Sequence, residues 1–248
     1  MELTWSGHAS VLIDTGTTRI VTDPLLNRRV AHLRRRVALP HPDTADVDVV
    51  LLSHAHLDHL HLPSLKHIRR NTRIFTPAGT GHLLRSVGFD DVSEVTVGDR
   101  AQVGDVSFEV VPAAHSHKRG PHSRVEAQPV GYVVDDGTHR IYFPGDTDLF
   151  DEMADLTDID VALLPIWGWG STLGTGHLDP TRAATATGLI VPKMVVPIHW
   201  GTYSPEDGRR RTPVWFATPP TRFEAALTDL DLHRLLTVVQ PGERVNLS

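Results

Sequence analysis

Four side chains that can bind metal ions follow directly on a short apolar run, and this feature constrains the chain more than any other. The run is Val47–Leu52, whose continuous apolar and β-branched character predicts a strand buried on both faces. The residues that follow it are Ser53-His54-Ala55-His56-Leu57-Asp58-His59. Alternation places His54 and His56 on the same side of an extended chain, and Asp58 and His59 follow where the chain turns. Because polar groups at a buried strand end must be solvated, paired or bound to metal, the motif predicts a metal site there.

Three other residues of the same chemical type also follow apolar runs. His115 comes after the predicted strand Ser107–Val111, Asp146 follows Ile141-Tyr142-Phe143, and His199 follows Met194–Ile198. The chain has 16 histidines and no cysteine, so a tightly bound metal must use imidazole and carboxylate ligands. Together with the first motif, these residues supply ligands for two metal ions and leave positions for water and substrate.

The order of predicted elements indicates an α/β fold. Hairpins are predicted at Ala9–Thr22 and Tyr132–Phe143, each around an Asp-x-Gly turn, and each is followed by a buried strand, at Val47–Leu52 and Val161–Leu164. This weak repeat of hairpin, strand and helix predicts two similar sheets packed face to face with helices outside. Coincidence among hairpins is the alternative. Helices are predicted at 63–70, 81–87, 180–187 and 221–230, the third beginning after the N-cap residue Asp179, and the segment 27–42 is predicted to be a loop.

Length, composition and charge limit the classes of protein to consider. The 248 residues, with 40% apolar and 22% charged side chains, fit one domain over 1–248 that can bury a sizeable core. A net charge of −6 argues against a protein that coats nucleic acid. The basic runs 34–36 and 209–211 are interpreted as solvated faces or as a rim that attracts an anionic substrate. No signal peptide and no apolar run long enough to span a bilayer is found, so a cytoplasmic location is expected.

Several short motifs make the sequence resemble a known family, the metallo-β-lactamase superfamily, whose signature is His-x-His-x-Asp-His. Within it, the chain is most similar to the branch of N-acyl-phosphatidylethanolamine phospholipase D and the ascorbate-phosphate lactonases. The motifs that carry this resemblance are Trp5-Ser6-Gly7-His8-Ala9-Ser10, Thr22-Asp23-Pro24, Pro144-Gly145-Asp146-Thr147, Gly176-His177-Leu178-Asp179-Pro180 and Pro197-Ile198-His199-Trp200-Gly201-Thr202.

The resemblance implies a fold and a division of the ligands. The implied fold is a four-layer αββα sandwich of two mixed sheets with helices outside and the metals at one edge between the sheets. By resemblance, His54, His56 and His115 bind one metal. Asp58, His59 and His199 bind the other, and Asp146 bridges the two. Histidine and carboxylate ligands suit Zn²⁺ best, with Mn²⁺ or iron as alternatives.

Other residues are candidates for roles around the metals. His177, with Asp58, is a predicted catalytic residue: it could protonate a leaving group or bind an oxyanion, although helix starts often carry polar residues. Asp23 either orients a ligand histidine or stabilises a turn, and His8 is a similar candidate. Further side chains could contact substrate, with core packing or exposed charge as the alternative: Trp167, Trp169, Lys118, Arg119 and Arg124. Four histidines are assigned to the surface or to packing: His61, His67, His82 and His233.

The expected activity is hydrolysis of an ester-type bond by a metal-activated hydroxide. Because the motifs resemble those of a phospholipase D, a phosphodiester or another phosphate-bearing small molecule is the first expectation and a lactone the second. No amphipathic membrane-binding stretch is evident, which weighs against a lipid substrate. A metal-binding sensor or scaffold without turnover is the non-enzymatic alternative, and a nuclease is disfavoured because the processing nucleases of this superfamily carry an additional domain. A homo-oligomer is compatible with the sequence.

Overall fold

A computed structural model of the chain describes residues 1–206 and 213–247. The strands in this part of the chain are short and numerous: β1 (Glu2–Gly7), β2 (Ser10–Asp14), β3 (Arg19–Thr22), β4 (Arg29–Val30), β5 (Leu33–Arg35), β6 (Val49–Leu51), β7 (Arg73–Pro77), β8 (Val92–Val95), β9 (Arg100–Val103), β10 (Val106–Pro112), β11 (Val130–Asp135), β12 (Arg140–Phe143), β13 (Val161–Pro165), β14 (Met194–Ile198), β15 (Tyr203–Pro205) and β16 (Arg244–Asn246). The α-helices are α1 (Leu62–Leu65), α2 (Gly81–Arg85), α3 (Pro180–Ile190), α4 (Val214–Ala217) and α5 (Pro219–Asp229). Short 3₁₀ helices lie at Pro42–Ala45, Asp151–Asp155 and His233–Leu235.

Two large mixed sheets carry the fold. The first has the strand order β16-β1-β2-β3-β6-β7-β8, and the second has the order β14-β13-β12-β11-β10-β9. A small sheet of β15, β5 and β4 lies beside them. In the first sheet β3, β6, β7 and β8 run parallel, and in the second β12, β13 and β14 do. Because parallel strands need connections that cover a sheet face, this arrangement predicts helices outside each sheet.

The central strand β6 shows how the layers are packed. Val49 and Leu51 belong to the main core between the two sheets, whereas Val50 and Leu52 belong to a second core on the outer face of the first sheet. Successive residues of a strand point to opposite faces, so a strand buried on both sides is apolar throughout. The two sheets meet directly where the rings of Phe75 and Phe108 lie 5.4 Å apart.

Helices complete the outer layers. Residues of α1 and α2, such as Leu65 and Leu84, pack in the outer core of the first sheet. On the other side α3 packs against β13 and against α5. The structure therefore has the predicted αββα order of layers. No helix formed by the described residues combines the length and the apolar character that crossing a bilayer requires.

The predicted repeat is present in the structure. In each half a hairpin is followed by a strand parallel to its second arm: β2, β3 and β6 in the first half, and β11, β12 and β13 in the second. An aspartate fixes the same position in both copies, since Asp48 accepts a hydrogen bond from the Arg19 amide and Asp160 accepts one from the Arg140 amide.

Some local predictions were wrong. The segment 27–42 is not only a loop, because it contains the hairpin of β4 and β5. The helix predicted at 63–70 is only α1, after which the amide of His67 bonds to the carbonyl of Ser64, a 3₁₀-type turn. Within the basic run 34–36, Arg35 is 7% exposed and donates to the carbonyls of Leu25 and Ala38, so it is structural. The basic run 209–211 lies outside the described residues.

Candidate metal centre

The side chains singled out by the sequence lie together at one edge of the sandwich. The motif 54–59 leaves the first sheet after β6, whereas His115, Asp146 and His199 follow β10, β12 and β14 of the second sheet. All seven are thus carried by the ends of strands, where backbone hydrogen bonding in the sheet fixes their positions. The cluster divides into two groups joined by Asp146.

The first group consists of His54, His56 and His115, whose ring nitrogens lie within 4.8 Å of one another. The nearest pair is Nδ1 of His56 and Nε2 of His115, which are 3.1 Å apart. This is the set that the family resemblance assigns to one metal.

The second group consists of Asp58, His59 and His199, together with His8. The Nε2 atoms of His59 and His199 are 3.2 Å apart. His8 joins this group because its Nε2 lies 3.1 Å from Oδ2 of Asp58. The sequence left the position of His8 open, and the structure places it beside the second set of predicted ligands.

Asp146 lies between the two groups. Its Oδ2 is 3.3 Å from Nε2 of His59, and its Oδ1 is 3.2 Å from Nε2 of His199. On the other side, Asp146 clusters within 4.8 Å with His115 and His177. This is the position that a bridging carboxylate would need.

Hydrogen bonds on the far side of the rings set which nitrogen faces the centre. His59 donates from Nδ1 to Asp23, His115 to the carbonyl of Gly176 and His199 to the carbonyl of Trp167, at 2.6, 2.5 and 2.9 Å. His54 donates in the same way to Oγ of Ser53, at 2.9 Å. A neutral imidazole has one N–H, so these four rings direct the lone pair of Nε2 at the centre.

This arrangement fits divalent cations. Lone pairs of His59 and His199 that face each other and a carboxylate repel unless a positive charge lies among them. The Nε2 atom of His54 is buried and has no hydrogen-bond partner within the described chain, and an unpaired buried acceptor is costly. Imidazole nitrogens and carboxylate oxygens are ligands that Zn²⁺, Mn²⁺ and iron accept.

The electrostatics of the site also favour cations. Burial lowers the pKa of His59, but the carboxylates of Asp146, Asp23 and Asp58 outweigh burial and raise this pKa well above its usual value. Burial lowers the pKa of His199 to about 3 and that of His115 to about 4. His115 and His199 are therefore neutral at pH 7. Without a metal ion His59 also holds a proton on Nε2, which faces Asp146, and a cation bound there would replace that proton.

Asp23 orients two of these histidines from behind. It is fully buried and accepts hydrogen bonds from the amide and hydroxyl of Ser53 and from Nδ1 of His59. Since Ser53 in turn accepts from His54, one carboxylate fixes ligands in both groups. Of the two roles considered for Asp23, the contacts correspond to the orienting one. Sequence reasoning did not identify Ser53, although its place directly before the motif was a signal.

His177 lies at the opening of the site. Its side chain is a quarter exposed, and its Nε2 is 3.6 Å from Oδ2 of Asp146. The preceding loop places Gly176 at φ +84°, a conformation that favours glycine. Asp179 caps α3 by accepting from the amide of Arg182 at 2.9 Å, as predicted.

A cleft of about 510 Å³ leads to these residues. Its floor contains His56, Asp58, Asp146 and His177. Its walls come from the β4–β5 hairpin and the loops after β6, β10 and β13: Val30, Ala31, His32, Leu33, Leu57, Arg119, Gly120, Pro121 and Trp169. Of the two tryptophans considered, Trp169 lines the cleft, whereas Trp167 belongs to the core.

The basic residues considered as substrate contacts lie in two different settings. Arg119 lines the cleft, but its guanidinium donates to the carbonyls of Ala55 and Leu60. Arg119 therefore connects the loop after β10 to the segment 54–60, which contains the His-x-His-x-Asp-His motif. Lys118 is exposed and lies near Glu126, and Arg124 is exposed.

The sequence is similar to known metal-dependent hydrolases, as a metal centre at this site would require. The β-lactamase superfamily domain matches residues 18–200. A UPF0173 metal-dependent hydrolase of Methanopyrus kandleri is 30% identical, with 98% of each chain covered. Another from Halobacterium salinarum is 31% identical over 83% of this chain and 85% of the relative.

Solved structures show the same fold. A metallo hydrolase of Ignicoccus hospitalis is 26% identical, with a TM-score of 0.75 over 98% of this chain and 97% of the other. An isothiocyanate hydrolase from Delia radicum gut bacteria has a TM-score of 0.77 over 100% and 99%, at 18% identity, and therefore shows likeness of fold alone. With the family match covering most of the sequence, the chain belongs to the metallo-β-lactamase superfamily, among the metal-dependent hydrolases designated UPF0173.

Proposed function

We propose that the protein hydrolyses an ester-type bond of a small substrate, with a phosphodiester as the first candidate, in a two-metal site. The observation that carries the proposal is the convergence of seven ligand-type side chains from both sheets, with lone pairs directed at one buried centre that opens into a cleft. The motifs around His8, Asp23 and His177 resemble those of the phospholipase D and lactonase branch, and this resemblance supports the same reaction class.

The roles of the side chains follow from their places. His54, His56 and His115 would bind one ion, Asp58, His59 and His199 would bind the other, and Asp146 would contact both. Divalent cations, Zn²⁺ first and Mn²⁺ or iron as alternatives, would lower the pKa of a water and polarise the bond under attack. Asp58 contributes to catalysis as a ligand that also lines the cleft, next to the position of the substrate.

His177 is the residue proposed to move a proton. Its Nδ1 lies 3.3 Å from the carbonyl of Gly174, so Nδ1–H donates there and Nε2 faces Asp146 and the cleft. A proton at Nε2 would be available to the oxygen of the leaving group. General acid assistance of this kind accelerates reactions by about 10²–10⁴-fold.

Lactone hydrolysis is a second candidate, favoured by one observation. Of the described residues that line the cleft, one is a lysine or arginine, namely Arg119. Its guanidinium already donates to two backbone carbonyls. A doubly charged phosphate monoester would find no free lysine or arginine among these described lining residues. A phosphodiester carries one negative charge and a lactone none, so both remain compatible with the cleft.

The test begins with protein stripped by a chelator and reloaded with Zn²⁺, Mn²⁺ or Fe²⁺. We expect up to two ions per chain and metal-dependent hydrolysis of methyl p-nitrophenyl phosphate, measured by release of p-nitrophenolate, with γ-lactones as the second substrate set. Asp146→Asn should lower metal occupancy and nearly abolish turnover. Asp91→Asn, an exposed carboxylate paired with Arg73, is the matched control and should leave both unchanged.

The outcomes separate the alternatives. Failure to bind any metal after reloading would overturn the two-metal proposal. Full metal binding without turnover of either substrate set would favour the sensor or scaffold instead. Unchanged occupancy and activity in Asp146→Asn would show that Asp146 does not bridge.

A further inference from the structure

The cleft has a polar floor and an apolar upper part. The floor is made by predicted ligands and His177. Above it, Leu57 and Trp169 expose 45% and 36% of their surface, which is high for large apolar side chains. Pro121, Val30 and Leu33 complete this part of the wall. Exposed apolar groups gathered beside a polar centre are typical of ligand sites.

The two sides of the upper cleft contact each other at one point. Ala31 and His32 form the tip of the β4–β5 hairpin, in which Val30 pairs with Leu33. The ring of His32 packs edge-on against the indole of Trp169, with centroids 5.1 Å apart. This contact joins the hairpin to the loop after β13 and gives the apolar part of the cleft a closed side.

Leu57 lies outside the hydrophobic core clusters formed by the described residues. It occupies a variable position of the His-x-His-x-Asp-His motif, between two predicted ligands, and it contributes to neither described core cluster near it. Its side chain instead faces the cleft together with Trp169. A polar residue would cost less at such an exposed position unless an apolar ligand covered it.

We infer that this upper part of the cleft binds an apolar substituent of the substrate, an alkyl or aryl group next to the bond that is hydrolysed. The inference rests on the proposed function for the position of that bond, over His56, Asp58 and Asp146. It adds that the substrate is amphipathic, with its reacting group at the floor and a hydrocarbon group between Leu57, Pro121 and Trp169. The volume of about 510 Å³ is large enough for such a group.

Binding of slowly hydrolysed phosphodiesters tests the inference separately from turnover. The probes are dimethyl, butyl methyl and hexyl methyl phosphate, titrated calorimetrically into the metal-loaded protein. We expect each methylene that enters the cleft to tighten binding about threefold to fourfold, as burial of hydrocarbon predicts. The heat-capacity change should become more negative along the series. Turnover of methyl p-nitrophenyl phosphate is measured in parallel with these titrations.

Two variants and a matched control complete the experiment. Leu57→Ser and Trp169→Ser should each flatten the dependence of affinity on chain length, with dimethyl phosphate bound as before and metal content unchanged. Leu230→Ser replaces a leucine that is 49% exposed at the end of α5, away from the cleft, and should keep the dependence.

The results distinguish the two proposals. Affinities that do not rise with chain length, or absence of binding by every member, would overturn the inference even if turnover is present. Tightening along the series without any turnover would support the apolar cleft and count against the proposed reaction. If Leu57→Ser and Trp169→Ser behave as Leu230→Ser does, the apolar substituent does not bind where we place it.

Discussion

Oδ2 of Asp23 lies 2.6 Å from Nδ1 of His59, and neither side chain is accessible to solvent. The same carboxylate receives the hydroxyl of Ser53, which accepts from His54. A single carboxylate outside the seven predicted ligands thus bonds, directly or through Ser53, to a ring in each of the two ligand groups.

Replacing this carboxylate should therefore weaken metal binding. In Asp23→Asn the side-chain amide is a poorer acceptor, and its N–H groups can face the donors of Ser53 and His59. We therefore expect metal affinity to fall about 10–100-fold, the usual effect of losing the hydrogen-bond partner of a ligand histidine. Competition with a chromophoric chelator measures it, with Asp91→Asn as the control. An affinity equal to that of the wild type in a folded Asp23→Asn protein would show that Asp23 only stabilises the turn.

His8 should act on the second ligand group through Asp58. Its Nε2 donates to Oδ2 of Asp58, and its own carbonyl accepts from the amide of His199 at 2.9 Å. We expect His8→Ala to lower metal affinity about tenfold, and His8→Gln, which retains a side-chain donor, to recover part of it. Residue 8 has a left-handed backbone conformation at φ +57°, and both variants share its cost. The difference in metal affinity between them therefore reports the contact of the side chain with Asp58. Equal affinities in the two variants would exclude it.

For His177 the expected effect is on turnover alone. His177→Ala should retain the fold and both metals and lower kcat by about 10²–10⁴-fold. The loss should shrink for substrates with good leaving groups, which need less protonation. Kinetics on two substrates that differ only in leaving-group pKa, beside metal analysis, measure this. Lost metal would make His177 a ligand, and wild-type rates would make it a bystander.

The metal-free protein should lose stability in mild acid. Burial, with a smaller effect of Arg119, lowers the pKa of His61 to about 4, and burial lowers that of His115 to about 4. The unfolded chain, with its histidines near pKa 6.5, binds more protons between pH 6.5 and 4. The contribution of these two histidines to stability is therefore full above pH 6.5 and falls below it, by up to about 1.4 kcal/mol per pH unit for each of them.

Urea unfolding of the metal-free protein at pH 7, 6 and 5 measures this dependence. In His61→Asn one of the titrating groups is absent, so the free energy of unfolding of this variant should depend less steeply on pH than that of the wild type. His82→Asn, at an exposed position on α2, is the control and should not change the slope. An unchanged slope in His61→Asn would contradict the assignment of His61 to this acid sensitivity.

The strand ends that carry the ligands were predictable because each side chain follows an apolar run long enough to be recognised. Val47–Leu52 is apolar on both faces, and that alone indicates a buried strand ending at the motif. β1 was missed although Glu2-Leu3-Thr4-Trp5-Ser6 alternates polar and apolar residues, which is a strand signal. β7 was missed because its short, mixed sequence gives no strong period. α1 was overestimated because the turns after Leu65 resemble a helix in sequence but bond three residues back.

The cleft could not be read from the sequence. Trp169, Pro121 and the hairpin at 29–35 are far apart in the chain, and only the packing of the two sheets brings them together. Arg35 illustrates the same limit, since a run of three arginines looks solvated although the middle one is buried beneath Ser6 and Leu25. Local sequence patterns show which charged side chains are present, whereas long-range contacts decide which of these side chains are exposed to solvent or substrate.

The repeat of hairpin and parallel strand has a consequence for how this protein can change. Asp23 follows β3 and Asp146 follows β12, so the loops after corresponding strands of the two halves place carboxylates beside opposite nitrogens of His59. The next strands have diverged: β6 ends in the ligand motif, whereas β13 ends in the loop that carries Trp169. The third strand of the first copy is thus followed by predicted ligands, and the third strand of the second copy is followed by a residue of the cleft wall. Substitutions in the loop after β13 can therefore change the wall of the cleft while every predicted ligand stays in place.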